Sequence, residues 1–143
     1  MKFYTIGYGS RKPEEFLSLL KANGVKAIVD VRLRPDHAYL SCYAKAKTPE
    51  KGIEVLLKTA GIEYFSLVEL RNIFRDYEEW GLKYKQLLER AGDLLIERIT
   101  HIPTPFCMLC AEINPAACHR GLIAEYLENK GFELEHLGVT LEF

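Results

Sequence analysis

No apolar run in this sequence approaches the roughly 18 residues that a membrane-spanning helix requires, and Met1-Lys2-Phe3-Tyr4 leads into a strand pattern without a secretory leader. Both absences point to a cytoplasmic protein with no membrane partner. Net charge is equally scarce: 19 Lys and Arg stand against 20 Asp and Glu, a formal −1 at pH 7 with His neutral. So balanced a chain does not grip long nucleic acid through an overall positive potential. Cysteines number only 4 among 143 residues, at positions 42, 107, 110 and 118, too few for a disulfide scaffold. A reducing compartment would keep them as thiols. Repeats, linkers and low-complexity stretches are absent. With 48% hydrophobic residues, the length suits a single α/β domain over 1–143 with one core.

Strand and helix patterns alternate along the chain. Phe3 to Ile6 reads as a strand ending in Gly7-Tyr8-Gly9-Ser10, and Pro13-Glu14-Glu15 opens a helix that stops near Asn23-Gly24. Val25 to Val31 is apolar almost throughout, as a strand covered on both faces should be, and delivers Asp30 and Arg32 to its C-terminal end. Lys51 to Ala60 reads as helix with Gly61 as its cap, and Ile62 to Leu67 as a third strand. Residues 34–49 lack periodicity and form a long loop. Residues 75–98 are helical in pattern, with Tyr77, Trp80, Tyr84, Leu88 and Leu94 as buried candidates and a break near Gly81 or Gly92. Phe106 to Ala111 and Phe132 to Leu137 supply the fourth and fifth strands around a last helix. This alternation predicts a three-layer, doubly wound, Rossmann-like α/β domain: a mainly parallel five-stranded sheet of order 3-2-1-4-5, helices on both faces. Ligands would bind in the crevice beyond the carboxyl ends of the first and fourth strands.

Two thiols, a carboxylate, an imidazole and a guanidinium crowd into Cys110-Ala111-Glu112-Ile113-Asn114-Pro115-Ala116-Ala117-Cys118-His119-Arg120. Asn114-Pro115 reads as an N-cap followed by proline at the first helical position, which places Cys118, His119 and Arg120 in the first turn of a helix. Unpaired amides and the macrodipole there favour thiolate and attract anions. Together with Thr5-Ile6-Gly7 and Asp30-Val31-Arg32, the Cys-Ala-Glu and Cys-His-Arg elements resemble the domain of unknown function 488 family. The resemblance implies a small α/β fold with these residues as its signature, and no particular reaction. This chain departs from the family pattern where Pro35-Asp36-His37 replaces a proline followed by serine.

Cys118 reads as a nucleophile, or as an extension of the helix's apolar stripe. Cys110 is a second or resolving thiol, or a small core residue. Glu112 serves as general base, or pairs with Arg32 or Arg120 to organise loops. His119 carries protons, or caps the helix towards solvent. Arg32 and Arg120 suit an anion, Asp30 satisfies backbone amides, and Gly7, Tyr8 and Ser10 line a turn that resembles a phosphate cradle but lacks both the third glycine and the P-loop lysine. Arg32, Arg34, Lys45 and Lys47 face Asp36 alone, interleaved with Tyr39 and Tyr43, which suggests a small anionic ligand, with nucleic acid as the weaker alternative. Cys107, Cys110, Cys118 and His119 number enough for zinc, but residues three apart on a strand point to opposite faces, so no metal is expected. The sequence names no cofactor. An enzyme of thiol chemistry on an anionic, phosphate-bearing or nucleotide substrate leads the functional readings; a non-catalytic nucleotide or nucleic-acid module and a thiol redox sensor compete with it.

Overall fold

A computed structural model describes residues 2–139. Its main elements are β1 (Lys2–Gly7), α1 (Pro13–Ala22), β2 (Ala27–Asp30), α2 (Ile53–Lys58), β3 (Glu63–Ser66), α3 (Trp80–Leu95), β4 (Phe106–Cys110), α4 (Arg120–Asn129) and β5 (Glu133–His136). All strands pair in parallel, in the order β3-β2-β4-β1-β5. The expected α/β class and five-stranded parallel sheet are borne out.

The expected order 3-2-1-4-5 has its two middle strands exchanged. Both β1 and β4 are apolar enough to lie anywhere in the buried centre of a parallel sheet, so composition does not choose between them. The connections do: the crossover through α1 passes over β4, and the crossover through α4 passes over β1. The neighbours whose following helices depart in opposite directions are therefore β2 and β4, and the ligand crevice of an open sheet moves to that pair.

Alternation along the strands feeds two apolar layers. Phe3, Val29, Phe106 and Met108 pack with Tyr84 and Leu88 of α3 and Ile123 and Leu127 of α4. Tyr4, Ile6, Ile28, Cys107 and Leu109 pack with Phe16 and Leu20 of α1 and Ile53 and Leu57 of α2. Cys107 thus faces away from the α4 side, as the strand period requires.

No break occurs in α3 at Gly81 or Gly92. Gly92 instead lets α4 approach, since a Cβ there would lie 2.4 Å from the Tyr126 ring. The helix starts at Trp80 rather than near residue 75, and Tyr77 and Leu94, expected in the core, are 59% and 72% exposed. Among the described residues no helix is long and apolar enough to cross a membrane.

One close approach fixes how the ends of β1 and β4 meet. The ladder pairs Gly7 with Cys110 and continues as Tyr8 N–H to the Cys110 carbonyl (3.0 Å) and Gly9 N–H to the Ala111 carbonyl (2.9 Å). A Cβ on Gly7 would stand 1.7 Å from the Glu112 carbonyl oxygen. Gly7→Ala is therefore expected to cost about 3 kcal/mol by forcing backbone apart. Urea denaturation checks this, and a loss below about 1 kcal/mol would mean the loops separate freely.

Candidate functional site

A cleft of about 600 Å³ opens beyond the carboxyl ends of β2 and β4, a volume suited to a small molecule. At the β2 exit, Asp30 accepts the Arg32 backbone N–H (3.1 Å), its Nε (2.9 Å) and its Nη2 (2.7 Å), and the Tyr64 hydroxyl also donates to the carboxylate. Arg32 Nη1 donates to the Tyr43 carbonyl at 2.7 Å, and its guanidinium lies over the Tyr8 ring. Tyr8 in turn stacks on Tyr43. Arg32 reaches the cleft wall as a rigid cation whose charge Asp30 already balances.

At the β4 exit the local structure departs from expectation. The Asn114 carboxamide does cap the following turn, accepting Ala116 N–H at 2.9 Å, but Pro115–Ala117 forms only a single 3-10 turn. Cys118 follows in extended conformation (φ −138°, ψ 147°), and α4 begins at Arg120. The first-turn placement of Cys118, His119 and Arg120 in a helix opened by Asn114-Pro115 is thus corrected. The Pro115 carbonyl accepts Cys118 N–H at 3.3 Å, which closes the short turn. Gly121 then packs on that same carbonyl, where a Cβ would lie 2.6 Å from the oxygen. The turn therefore folds across the start of α4 instead of running into it. Cys118 Sγ consequently sits ahead of the helix, among donors.

Those donors set its ionisation. Interaction with the Cys110 thiol, aided by His119 and the Arg120 backbone N–H, pulls the Cys118 pKa down to about 4 despite burial. Sharing with Cys118, together with burial, pushes the Cys110 thiol up. Cys110 has one proton and two nearby acceptors, Cys118 and the Glu112 carbonyl at 3.6 Å. The Glu112 carbonyl is the acceptor in the structure; an ionised Cys118 competes for that proton, because bonds to an ion are roughly twice as strong.

Arg120 gives an independent reason for a thiolate. Its side chain is fully buried, with Nη2 donating to the Ile113 carbonyl (2.9 Å), Nη1 to Cys110 Sγ (3.7 Å) and Nε left without a partner. Among the described residues it has no carboxylate partner. A buried cation needs a compensating anion, and the thiol pair that Arg120 reaches at Cys110 Sγ can carry one.

The structure brings Tyr8, Arg32, Cys110, Glu112, Cys118 and His119 to one cleft. Asp30 and Arg120 stand behind it as supports rather than facing a ligand. Gly7 is buried under the Glu112 carbonyl and Ser10 is exposed elsewhere; neither lines the cleft. Glu112 is exposed at the rim, not on the floor, and makes no ion pair among the described residues, since Arg32 takes Asp30 and Arg120 takes carbonyl and sulfur. His119 is not a solvent-facing cap: it is 4% exposed, with Nδ1 3.6 Å from Cys118 Sγ, its ring edge-on to Tyr84, and Nε2 buried without a partner.

Sequence reasoning missed the segment after β3. Asn72, Arg75 and Trp80 line the cleft; periodicity places Arg75 in a helix that it in fact precedes, and Trp80, the first residue of α3, among the core candidates. Of the basic and aromatic loop, Arg34, His37 and Tyr39 line it too, whereas Tyr43 is buried, Lys45 pairs with Glu54 at 3.0 Å and Lys47 lies apart. Among the described residues no three His, Cys, Asp or Glu side chains cluster to hold a metal ion.

No curated protein matches the chain, nor does any solved structure. A family model described as Domain of unknown function DUF488 matches residues 12–127, a span that contains Asp30-Val31-Arg32 and the whole Cys110 to Arg120 segment, though not Thr5-Ile6-Gly7. With β2, β3, β4 and every cleft residue but Tyr8 inside the matched span, the chain belongs to the DUF488 family.

Proposed function

We propose that the cleft is the active site of a thiol enzyme acting on a small anionic substrate, with the Cys118 thiolate as nucleophile. The observation that carries this reading is the position of Cys118, in the cleft wall ahead of α4, with His119 Nδ1 3.6 Å from its sulfur and with Cys110 and the Arg120 backbone N–H holding its pKa far below that of an ordinary thiol. Arg75 and Arg34, the latter shared with the exposed Asp36 at 3.5 Å, supply positive charge at the cleft, and Glu112 is the sole acidic side chain among the lining residues, so the net field favours an anion. His119 is placed to take or return a proton at the sulfur, and Glu112 to exchange protons at the rim. A reducing cytoplasm keeps such a site active, and all four thiols are free.

Charge-matched alkylation tests the reading. Iodoacetate is expected to modify Cys118 in preference to iodoacetamide, and Arg34→Ala or Arg75→Ala to shrink that preference about five-fold, the worth of one nearby exposed charge. A preference indifferent to both arginines would remove the anionic substrate, and unlabelled Cys118 would remove the nucleophile.

A non-catalytic nucleotide pocket is the second reading, favoured by Tyr39, 85% exposed, and Trp80, which line the same cleft as Arg34 and Arg75. It requires saturable nucleotide binding that survives Cys118→Ser.

A further inference from the structure

We infer that Cys118 and Cys110 form a two-thiol redox couple that reduces small anionic disulfides, Cys118 attacking and Cys110 resolving. The inference rests on the nucleophilic reading of Cys118 and specifies what that nucleophile acts upon. Both residues line the same cleft, and their side chains are close enough for each to shift the ionisation of the other. The remaining thiols do not compete: Cys107 faces the opposite side of the sheet, and Cys42 packs with the α1 and α2 layer.

The adjacency selects the chemistry. A thioester or phosphocysteine on Cys118 gains nothing from a second thiol beside it, which would only receive the group in turn. A mixed disulfide, by contrast, is the intermediate that a neighbouring thiol resolves. Cys110 is 3% exposed, so its natural target is the sulfur next to it rather than a molecule arriving from solvent. Arg120, with Nη1 3.7 Å from Cys110 Sγ, provides the cation that a resolving thiolate needs at that moment.

The steps balance. The Cys118 thiolate attacks one sulfur of RS–SR′, forming Cys118–S–SR, and R′S⁻ leaves with the electron pair. Cys118 no longer accepts the Cys110 proton, which passes to His119 or to the departing thiolate. The Cys110 thiolate then attacks Cys118 Sγ, forming the Cys110–Cys118 disulfide and expelling RS⁻. Two electrons move from the protein thiols to the substrate, and an external dithiol must return them for turnover. Arg34 and Arg75 suit carboxylates on R.

Incubation of the reduced protein with glutathione disulfide, followed by peptide mass spectrometry, tests the couple. The wild type is expected to accumulate a Cys110–Cys118 disulfide with no retained glutathione at either residue, while Cys110→Ser retains glutathione on Cys118. A wild-type mixed disulfide at Cys118 that persists with Cys110 still reduced overturns the couple and leaves the nucleophile standing. No modification of Cys118 at all overturns both. The wild-type result alone decides between these, so the test stands even if the Cys110→Ser protein folds poorly.

Discussion

Replacing Cys118 by serine is expected to lower stability by about 3 kcal/mol at neutral pH, far more than so small a change of atom would suggest. The side chains are nearly isosteric, and loss of a buried sulfur alone costs about 1 kcal/mol. The larger figure comes from charge. Arg120 is fully buried, has no carboxylate partner among the described residues and reaches the thiol pair only at Cys110 Sγ; if Cys118 carries that pair's negative charge, removing it strips a buried cation of its counter-ion, a loss that typically costs about 3–5 kcal/mol. Serine stays neutral and leaves the guanidinium uncompensated. The native pKa of Cys118, about 4, lies below its unfolded value. Its contribution is therefore full above the unfolded value of about 8.5 and is lost as pH falls through the native one. The gap between wild type and Cys118→Ser in urea denaturation should narrow on acidification. Arg120→Met in the Cys118→Ser background should restore much of the loss. A deficit near 1 kcal/mol that ignores both pH and Arg120 would mean the pair is uncharged.

The second large effect is in the shape of a rate profile. Below its pKa an ordinary thiol gains about ten-fold in alkylation rate per pH unit, or about 100-fold between pH 6 and 8. Cys118 is expected to change less than about two-fold over that range and to fall off only towards about 4. Absolute rate is the poorer readout. A thiolate of low basicity is also less nucleophilic, with a Brønsted slope of about 0.4–0.5, so much of the gain in thiolate fraction cancels near neutrality. Because the Cys110 hydrogen bond is the main cause of the lowered pKa, Cys110→Ser should move the inflection upward. Cys42, whose thiol burial pushes up, serves as the internal comparison. A ten-fold-per-unit slope at Cys118 would place a thiol, not a thiolate, at the head of α4.

Much of the molecule is legible without coordinates where the cause is local. Pro13-Glu14-Glu15 opens α1, Gly61 takes positive φ (71°) after α2, and the apolar alternation of the strands divides cleanly between two helix layers. The cleft thiols are legible for a different reason: no core needs Cys, Glu, His and Arg together, so their crowding marks a site. What misleads is continuity of pattern. Asn114-Pro115 carries both an N-cap side chain and a first-position proline, yet its turn ends after three residues, where Gly121 packs on the Pro115 carbonyl. Glu112 and Arg120 are neighbours in the motif, but one lies at the rim and the other in the interior, a difference of side-chain direction that one-dimensional spacing does not contain.

By itself, the sequence determined the alternating elements, the parallel sheet covered on both faces, and the crowding of thiols, carboxylate, imidazole and guanidinium in one motif, since each follows from hydrophobic period, capping chemistry or composition over a few residues. Only the tertiary structure decided which strand ends adjoin. By seating β4 between β2 and β1 it moved the crevice to β2 and β4, drew in Arg75 and Trp80, and left Arg120 to face sulfur instead of ligand. Pairing between strands distant in the chain is settled by the competing fit of whole apolar faces and crossovers, and two strands as alike in hydrophobicity as β1 and β4 carry no local mark of their order.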